Sequence, residues 1–572
     1  MIKRRQFLKF GLATAGTGML ASKEASAELL PPENLVPSVV SKPSPPATPY
    51  ATPLYRMPVA TPIPVDALDP APDPNRHQRW DEFVPQKHYV ERLREFKWEY
   101  HPDPPYNQGS WSWGFADNDG TMTATPGPTY HAYYGEPVFV RRINELPDIG
   151  DSVVRFALPS STIHLHNAHT ASESDGIPVD YTNPGEFWDH HYCNFPAGFD
   201  DDERLHTLWY HDHRLDFTGP NVYAGLTGFY CLFDEQDSND ENDMNPEAWR
   251  LPSGEYDVPL VFHDVQFDEN GQVVWDFFDA NPVFTTVNGM LGDMMTVNRK
   301  IMPFFEVEPR KYRFRMLNGG PSRFYEFKLR PQEGTNGSDT FTVLTSDGNF
   351  LEEPVDVKQL VIAVAQRHDV VIDFSGYNPG DTVELVNVMD MRDDGAGPSG
   401  RMLMGDDALK VMQFKVKELS APDNSQIPAR FRDLPNIDMS EVRRERLFVF
   451  DYDNGLWTIN GKLMDPNRID AKIERGSAEI WTFRNAGQAW SHPIHSHFEE
   501  FQILEVDGVP LAQDDLRRTK MDVVHLGPNQ EIRFFCRWRD FLGKHVQHCH
   551  NVVHEDHAMM IRWDIVPPGF GD

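Results

Sequence analysis

The sequence predicts an all-β protein in which three related β-sandwich or barrel domains follow one another in one chain. Short runs of strand-forming residues alternate with Gly, Pro, Asn and Asp, and few stretches show a long helical pattern, which is typical of sandwiches and barrels. A strand motif that ends in Arg and Asn recurs at residues 138–144, 312–318 and 480–485. At 572 residues the chain is long enough for three domains of ~150 residues each.

The recurring motif indicates that one domain has been duplicated. Its last residues, Asn144, Asn318 and Asn485, are 174 and 167 residues apart along the chain. Such a long period indicates repeated domains rather than a short-period solenoid, although β-strands also resemble one another by chance.

Two polar stretches mark the predicted boundaries, one at residues 237–245 and the other at residues 420–426. Clusters of Asp, Asn and Ser are typical of the connections between folded units. We therefore predict a first domain at residues 85–240, a second at 241–430 and a third at 431–572.

The first 27 residues have the pattern of an export signal. Residues 3–9 (KRRQFLK) form a twin-arginine motif, residues 10–21 are mildly apolar, and Ala25-Ser26-Ala27 provides a cleavage site. A basic amphipathic helix of the mature protein is the alternative. We expect a signal peptide at residues 1–27, recognition by the twin-arginine export machinery, and a mature protein in the periplasm, at the cell surface or outside the cell.

Residues 28–84 are rich in proline and include Pro43, Pro45, Pro46 and Pro49. Proline-rich chain favours extended conformations and does not form a core of its own. We expect this segment to be an extended arm along the surface of the folded body.

The charge of the chain argues against several kinds of partner. The formal net charge is −34, and it becomes −38 when residues 1–27 are removed. So acidic a surface repels nucleic acid and anionic membranes and attracts cations. No stretch approaches ~18 uninterrupted apolar residues, so we also expect no stable membrane span.

Only four cysteines are present, so the protein is not a disulfide scaffold. Cys549 lies inside a cluster of histidines. Cys193, Cys231 and Cys536 form at most one disulfide, and buried free thiols are an equal alternative.

Ten of the 23 histidines fall into four compact groups, and one group also contains a cysteine. Neutral imidazole and thiolate are suitable ligands for copper. The groups are His164 and His166; His211 and His213; His492, His495 and His497; and His548, Cys549, His550 and His554, with Met559 five residues further on.

The spacing within these groups predicts two connected metal centres. Residues i and i+2 of a β-strand point to the same face, so each His-x-His places two imidazoles side by side. Cys549 lies between His548 and His550 and faces the other way, so one tripeptide joins two centres through covalent bonds. A zinc site needs only about four ligands and has no use for such a connection.

In this order, the four groups resemble those of the multicopper oxidases, and most closely the bacterial spore-coat laccase and bilirubin oxidase branch. The resemblance covers residues 85 to 567 and is weakest in the middle. Besides the ligand groups it rests on residues 126–129 (PGPT), 209–213 (WYHDH), 225–228 (GLTG) and 554–560 (HEDHAMM).

The resemblance implies three cupredoxin-like Greek-key domains and four copper ions, one of type 1, one of type 2 and two of type 3. The trinuclear ligands would come from the first and third domains, and the middle domain would be a spacer. The type 1 ligands would be His492, Cys549, His554 and, as a weak axial ligand, Met559; the type 2 ligands His164 and His495; and the type 3 ligands His166, His211, His213, His497, His548 and His550.

Two carboxylates beside these ligands are candidate catalytic residues. Glu555 directly follows a type 1 ligand, and Asp175 lies nine residues after His166. Reduction of dioxygen consumes four protons, and both positions match acidic residues that act in the spore-coat laccase type of enzyme. The alternative for each is an orienting contact to a ligand imidazole.

The resemblance further implies an oxidase that takes electrons one at a time from a small reducing substrate and reduces dioxygen to water. Electrons would arrive through an exposed edge of His492 or His554 and cross Cys549 to His548 and His550. Phenolic or bilirubin-like substrates are the first choice on family grounds, and oxidation of Cu(I) or Mn(II) is the alternative.

Methionines and aspartates between residues 389 and 407 bear on that alternative. Met389, Met391, Met402 and Met404 are a plausible set of soft ligands for cuprous ions, but the segment is short, and we expect a mobile surface loop.

Two rival classes fit the ligand set less well. A copper-free structural protein of cupredoxin fold would lack ligands, and all twelve are present. A copper nitrite reductase would need fewer histidines.

Overall fold

The computed structural model describes residues 43–118, 120–275, 288–453 and 455–572. The predicted signal peptide and the first part of the predicted arm, residues 28–42, lie outside the described residues. Within the described part of the chain, no helix has both the length and the apolar character needed to cross a membrane.

The first group of strands forms two sheets, with one short helix, α1 (Thr218–Ala224), packed between them and the rest of the molecule. The sheet orders are β3-β2-β1-β5-β7 and β4-β9-β8-β6. The strands are β1 (Lys87–Trp98), β2 (Ser110–Ala116), β3 (Thr123–Ala124), β4 (Tyr130–Tyr133), β5 (Val138–Asn144), β6 (Ile163–His166), β7 (Phe187–Tyr192), β8 (Thr207–Asp212) and β9 (Thr227–Phe233).

The middle group forms a seven-stranded sheet, β12-β11-β10-β14-β19-β16-β17, a five-stranded sheet, β13-β23-β20-β15-β18, and the hairpin β21-β22. Its strands are β10 (Asp257–Val265), β11 (Met294–Val297), β12 (Lys300–Ile301), β13 (Phe304–Val307), β14 (Lys311–Asn318), β15 (Tyr325–Pro331), β16 (Phe341–Ser346), β17 (Asn349–Val357), β18 (Leu360–Ile362), β19 (Arg367–Asp373), β20 (Thr382–Asn387), β21 (Met389–Met391), β22 (Pro398–Met402) and β23 (Leu409–Val416).

The last group forms the sheets β25-β24-β27-β32-β29-β30 and β26-β34-β33-β28-β31, with the one-turn helix α2 (Val552–Glu555) after β33. Its strands are β24 (Val442–Asp453), β25 (Leu456–Ile459), β26 (Ala471–Glu474), β27 (Ser477–Asn485), β28 (His492–Ser496), β29 (Phe501–Val506), β30 (Lys520–Met521), β31 (Val523–Leu526), β32 (Glu531–Trp538), β33 (Gly543–Cys549) and β34 (Met560–Val566). The remaining helical segments among the described residues are single 3-10 turns.

Each group is a sandwich whose apolar core lies between its two sheets. In the first group, Leu93 of β1 and Val140 of β5 share a core with Leu165 of β6, Tyr210 of β8 and Leu232 of β9. The middle and last groups have equivalent cores. The predicted all-β class is therefore confirmed, and the alternation of inward and outward residues explains why these sequences form strands.

The recurring strand motif occupies the same place in all three groups. Strands β5, β14 and β27 each pair in parallel with the first strand of their group, β1, β10 and β24. The terminal asparagine of each copy then donates its amide to two carbonyls of nearby loops, as Asn485 does to Trp490 at 2.7 Å and Gly527 at 2.9 Å. In each sandwich, the last residue of the repeated motif thus connects the end of its strand to nearby backbone through hydrogen bonds.

The described part of the proline-rich arm contacts all three groups of strands. Pro53 forms an isolated β-bridge with Phe304, and Ile63 forms one with His88. Further along, Gln78 exchanges two hydrogen bonds with the backbone of Leu542, at 2.9 and 3.0 Å.

The polar stretch predicted to separate the first two domains is anchored by ion pairs. Both Asp237 carboxylate oxygens lie 2.9 Å from Nη1 of Arg313 in β14, and both side chains are buried. Glu241 accepts a hydrogen bond from Arg310 at 2.6 Å. The predicted boundaries themselves stay predictions.

All four cysteines are buried free thiols. The alternative of a disulfide among Cys193, Cys231 and Cys536 is therefore not realised in this structure.

Candidate copper centres

The predicted ligands come from strands that pair with one another in the first and last sandwiches. His164 of β6 lies opposite His211 of β8, and His495 of β28 lies opposite His548 of β33. The ring centroids of His164 and His166 are 5.5 Å apart, as expected for neighbours on one face of a strand.

Eight imidazoles from the two sandwiches meet in one buried cluster. Nε2 of His497 lies 3.1 Å from Nε2 of His213 and 3.3 Å from Nε2 of His548. Nε2 of His164 lies 3.3 Å from Nε2 of His495. The remaining three, His166, His211 and His550, have ring centroids 5.2 to 5.6 Å apart.

This cluster fits the copper ions that the sequence predicts. Nε2 of His211 and both ring nitrogens of His550 are buried without a hydrogen-bond partner, a costly state unless an ion binds there. Burial lowers the pKa of His550 to about 3 and that of His213 to about 4. These two rings are thus neutral, which is the form that binds a metal ion.

The two candidate carboxylates both contact imidazoles of this cluster. Oε1 of Glu555 lies 3.1 Å from Nδ1 of His213, and Oε2 lies 3.0 Å from Nδ1 of His548. Oδ2 of Asp175 lies 2.8 Å from Nδ1 of His497. These contacts fix the ring orientation and leave each Nε2 free for a metal ion.

The same contacts control the charge of the carboxylates. Burial raises the pKa of Glu555, but the neighbouring imidazoles of His548 and His213 outweigh it and hold the pKa well below its ordinary value. His497 and His164 do the same for Asp175. Two buried anions therefore lie directly beside the imidazole cluster.

A second set of donors lies at the end of β33. Sγ of Cys549 is 3.4 Å from Nδ1 of His492 and 3.4 Å from Nδ1 of His554, and the two Nδ1 atoms are 3.1 Å apart. Donor atoms bound roughly 2.0 to 2.3 Å from one ion have separations of this size. The three donors therefore suit a single copper ion.

Met559, the predicted axial ligand, lies close to this set. It is fully buried in the same apolar core as Cys549, and its carbonyl accepts a hydrogen bond from the Cys549 amide at 3.2 Å. The neighbours of Cys549 in the chain, His548 and His550, belong to the eight-imidazole cluster, so the predicted connection between two centres is present in the fold.

The structure contradicts the expectation that His492 or His554 has an exposed edge, because both side chains are completely buried. Trp457 covers His554, with ring centroids 3.9 Å apart and planes 28° apart. Tyr452 packs on Trp457 at 4.5 Å and is half-buried, so it reaches the surface.

The segment of methionines and aspartates is a hairpin, β21-β22, instead of the expected loop. Met402 and Met404 are 39% and 71% exposed, whereas Met391 is buried against Phe324. The turn of the hairpin packs against Ser491, the residue before His492.

Sequence reasoning missed several residues that support the ligands. The Asp522 carbonyl lies 2.9 Å from Nδ1 of His495, and its carboxylate lies 2.6 Å from Nε2 of His166 and 2.9 Å from Arg367. Asn288, in the middle group, contacts His554 through its carbonyl at 2.8 Å. None of these lies in a ligand motif, so no local pattern identifies them, and the middle group is more than a spacer.

Comparisons with known proteins agree with this geometry. Two family models described as multicopper oxidase match residues 263–382 and 436–569. A bilirubin oxidase from Albifimbria verrucaria is 33% identical over 501 residues, which are 85% of this chain and 77% of the relative. A laccase from Bacillus subtilis (strain 168) is 29% identical over 88% of this chain and 98% of its own.

Solved structures share the fold. A multi-copper oxidase from Pediococcus acidilactici superposes with a TM-score of 0.71 at 22% identity, and the match covers 94% of this chain and 96% of that one. The predicted cupredoxin-like class is thereby confirmed. The chain belongs to the multicopper oxidase family, whose members are oxygen-using oxidoreductases with four copper ions of types 1, 2 and 3.

Proposed function

We propose that this protein is a laccase-like oxidase of phenolic or bilirubin-like substrates that reduces dioxygen to water. The observation that carries the proposal is the pairing of the eight-imidazole cluster with the His492, Cys549 and His554 set through one tripeptide. The similarity to a bilirubin oxidase and to laccases favours this substrate class.

We propose the ligand roles that the family resemblance implies, and the distances between the donor atoms support them. His492, Cys549, His554 and Met559 would hold the type 1 copper, and His164 and His495 the type 2 copper. Bound copper supplies one-electron chemistry, accepting electrons at one centre and passing them to dioxygen at the other. The type 3 pair would be held by His166, His211, His213, His497, His548 and His550.

The protein itself excludes water and positions the imidazoles. Every side chain of the eight-imidazole cluster is at most 1% exposed, so the cluster is shielded from bulk solvent. Glu555 and Asp175 hold the rings of His213, His548 and His497 in place.

We further propose that these two carboxylates pass protons toward dioxygen. Four electrons and four protons convert one dioxygen to two waters, and the donated electrons come from four one-electron oxidations of substrate. Glu555 and Asp175 are acidic groups in direct contact with cluster imidazoles at Nδ1, so a proton taken up at either carboxylate arrives beside the reaction site.

Because His492 and His554 are buried, electrons need a protein route to them. Trp457 contacts both rings, stacked on His554 and edge-on to His492 at 5.4 Å, and Tyr452 extends this contact toward solvent. We propose that a reducing aromatic substrate docks near Tyr452 and that its electron passes through Trp457.

Oxidation of Cu(I) or Mn(II) is the second candidate function. It is favoured by the β21-β22 hairpin, which ends in the exposed Met402 and whose turn contacts Ser491, the residue before His492. Thioether sulfur suits cuprous ions.

Purified protein with its copper content measured, together with its visible and EPR spectra, tests the assignment. We expect close to four copper ions per chain and an intense blue band. Fully loaded protein without that band would contradict the type 1 assignment. Oxygen uptake on a phenol, bilirubin, Cu(I) and Mn(II) then decides between the two candidate functions.

We also propose that the protein is exported by the twin-arginine route, on the basis of residues 3–9 and 25–27. Cell fractionation of the wild type and of a variant with Arg4 and Arg5 changed to Lys tests this. Retention of activity outside the cytoplasm in that variant would contradict it.

A further inference from the structure

The turn of the β21-β22 hairpin, residues 392–397, lies directly against the type 1 ligand segment. The amide of Ser491, which precedes His492, donates a hydrogen bond to the Ala396 carbonyl at 2.9 Å. On the other side of the turn, Oδ2 of Asp394 accepts a hydrogen bond from Nδ2 of Asn288 at 3.2 Å.

Asn288 connects this turn to His554. Its carbonyl accepts a hydrogen bond from Nε2 of His554 at 2.8 Å and a second from the side-chain Nδ2 of Asn551 at 3.0 Å. Since Nδ1 of His554 is the nitrogen that faces Cys549, Nε2 carries the ring proton and acts as the donor. An uninterrupted chain of contacts therefore runs from Asp394 through Asn288 to His554.

Close backbone packing holds the turn in place. A Cβ atom on Gly289 would lie 2.4 Å from the carbonyl oxygen of Gly395, which has a φ of +72°. A Cβ on Gly397, at a φ of +144°, would lie 2.9 Å from Cβ of Ser491. Only glycine permits these close approaches, so the turn packs at a fixed distance from the segment that contains Ser491 and His492.

We propose that this hairpin, acting through Asp394 and Asn288, positions His554 and thereby sets the affinity and reduction potential of the type 1 copper. The inference rests on the proposed function, because it needs His554 to be a type 1 ligand. A carbonyl acceptor on the second ring nitrogen fixes the ring orientation and makes the imidazole a stronger donor, which favours the oxidised ion. Asp394 and Asn288 are positioning residues, since neither touches the ion.

The test compares Asp394→Ala, Asn288→Ala and the double variant with wild-type protein, all as full-length copper-loaded chains. Asp393→Ala is the matched control, because Asp393 is exposed, adjacent and of the same charge. The measurements are copper affinity by chelator competition, the EPR spectrum, and the reduction potential by redox titration.

We expect the single variants to lower the affinity of the type 1 site about tenfold. We also expect a higher reduction potential of the type 1 copper. A tenfold change in the equilibrium between its oxidised and reduced forms corresponds to about 59 mV for one electron. The double variant should match Asp394→Ala, because Asp394→Ala already removes the contact that Asn288→Ala removes. A general loss of stability would instead lower the unfolding temperature and leave the potential unchanged.

Two results from the variants would overturn the proposal. One is a potential, affinity and spectrum in both single variants equal to those of Asp393→Ala. Another is a double variant whose shifts are the sum of the singles. If Asp394→Ala does not fold, Asn288→Ala alone decides in the same way. If the wild-type protein shows a type 1 spectrum, the proposed function stands in each of these cases. If the wild-type protein lacks that spectrum, both proposals are overturned.

Discussion

At the scale of single residues, the decisive feature is the buried carboxylate beside a ligand imidazole. Glu555 touches two rings, His213 and His548, so it orients them, and we propose that it also passes protons. These two roles separate in a variant that keeps the shape of the side chain and loses its ability to ionise.

Glu555→Gln should lower oxygen turnover by ~100-fold, the usual size of a general acid–base contribution. The amide still contacts the rings, so we expect full copper content and an unchanged rate of anaerobic reduction of the blue band. Stopped-flow reduction and oxygen uptake measure the two steps separately. Full oxygen turnover in copper-loaded Glu555→Gln protein would contradict the proton-relay role of this residue.

Trp457 is the second residue whose role the structure brings out. Trp457→Leu removes the ring that covers His554 and should slow anaerobic reduction of the type 1 copper about tenfold, equivalent to about 1.4 kcal/mol of barrier. Trp457→Phe keeps an aromatic ring and serves as the control. Equal reduction rates in Trp457→Leu and wild type would rule out this electron route.

At the scale of elements, the three copies of one strand motif allow a matched experiment. Asn318 and Asn485 each close the corner that follows their strand, but only Asn485 leads to a ligand-bearing strand, β28. We therefore expect the hydrogen bonds of Asn318 to stabilise the middle sandwich only. Those of Asn485 should also position a ligand-bearing strand in the last sandwich.

Asn318→Ala and Asn485→Ala should each lower the free energy of unfolding by ~1–3 kcal/mol, because buried carbonyls lose their donor. Only Asn485→Ala should also broaden the type 1 spectrum, since the loop before His492 loses its anchor at Trp490. Chemical denaturation and EPR spectroscopy provide the two measurements. A disturbed type 1 spectrum in Asn318→Ala would count against this division.

At the scale of the whole molecule, buried ion pairs join the sandwiches. Asp237→Ala removes one of the two carboxylates that pair closely with the buried Arg313, Asp369 being the other, and should cost ~1–3 kcal/mol of stability. Asp240→Ala, an exposed neighbour in the same stretch, is the control and should change stability by less than about 0.5 kcal/mol. Similar unfolding midpoints for the two variants would show that the pair does not join the groups.

The molecule should also lose stability in mild acid. Burial lowers the pKa of His77 to about 4 and that of His368 to about 4. These rings stay neutral in the folded protein while the unfolded chain protonates near pH 6.5, so stability is complete above that pH and falls below it. Each contributes up to about 1.4 kcal/mol per pH unit between pH 6.5 and 4.

Denaturation of copper-free protein at a series of pH values measures this slope. His368→Gln does not titrate, so its stability should fall less steeply with acid than that of the wild type, whatever its stability at neutral pH. Parallel curves for the two proteins would contradict the prediction.

Local patterns were enough to predict the all-β class and the metal chemistry. A period of two along a strand dictates that His548 and His550 face one way and Cys549 the other, and the structure has this arrangement. The equivalent positions of Asn144, Asn318 and Asn485 were also visible, because a duplicated domain keeps its spacing.

Contacts between distant segments could not be predicted in this way. Asn288 reaches His554, and Asp522 reaches His495, through a backbone carbonyl, which any residue type provides, so no residue pattern marks these two contacts. Burial of His492 and His554 likewise depends on Trp457, which belongs to another strand and has no fixed spacing from either ligand.

The sequence by itself thus determined which atoms can bind copper and that two centres are joined, because ligand chemistry and strand periodicity are local. Only the tertiary structure decided which carboxylate holds which ring, that Trp457 covers the buried His554, and that the turn of the β21-β22 hairpin packs against Ser491, the residue before His492. These depend on how three sandwiches pack, and packing brings together residues whose separation along the chain carries no information about their distance in space.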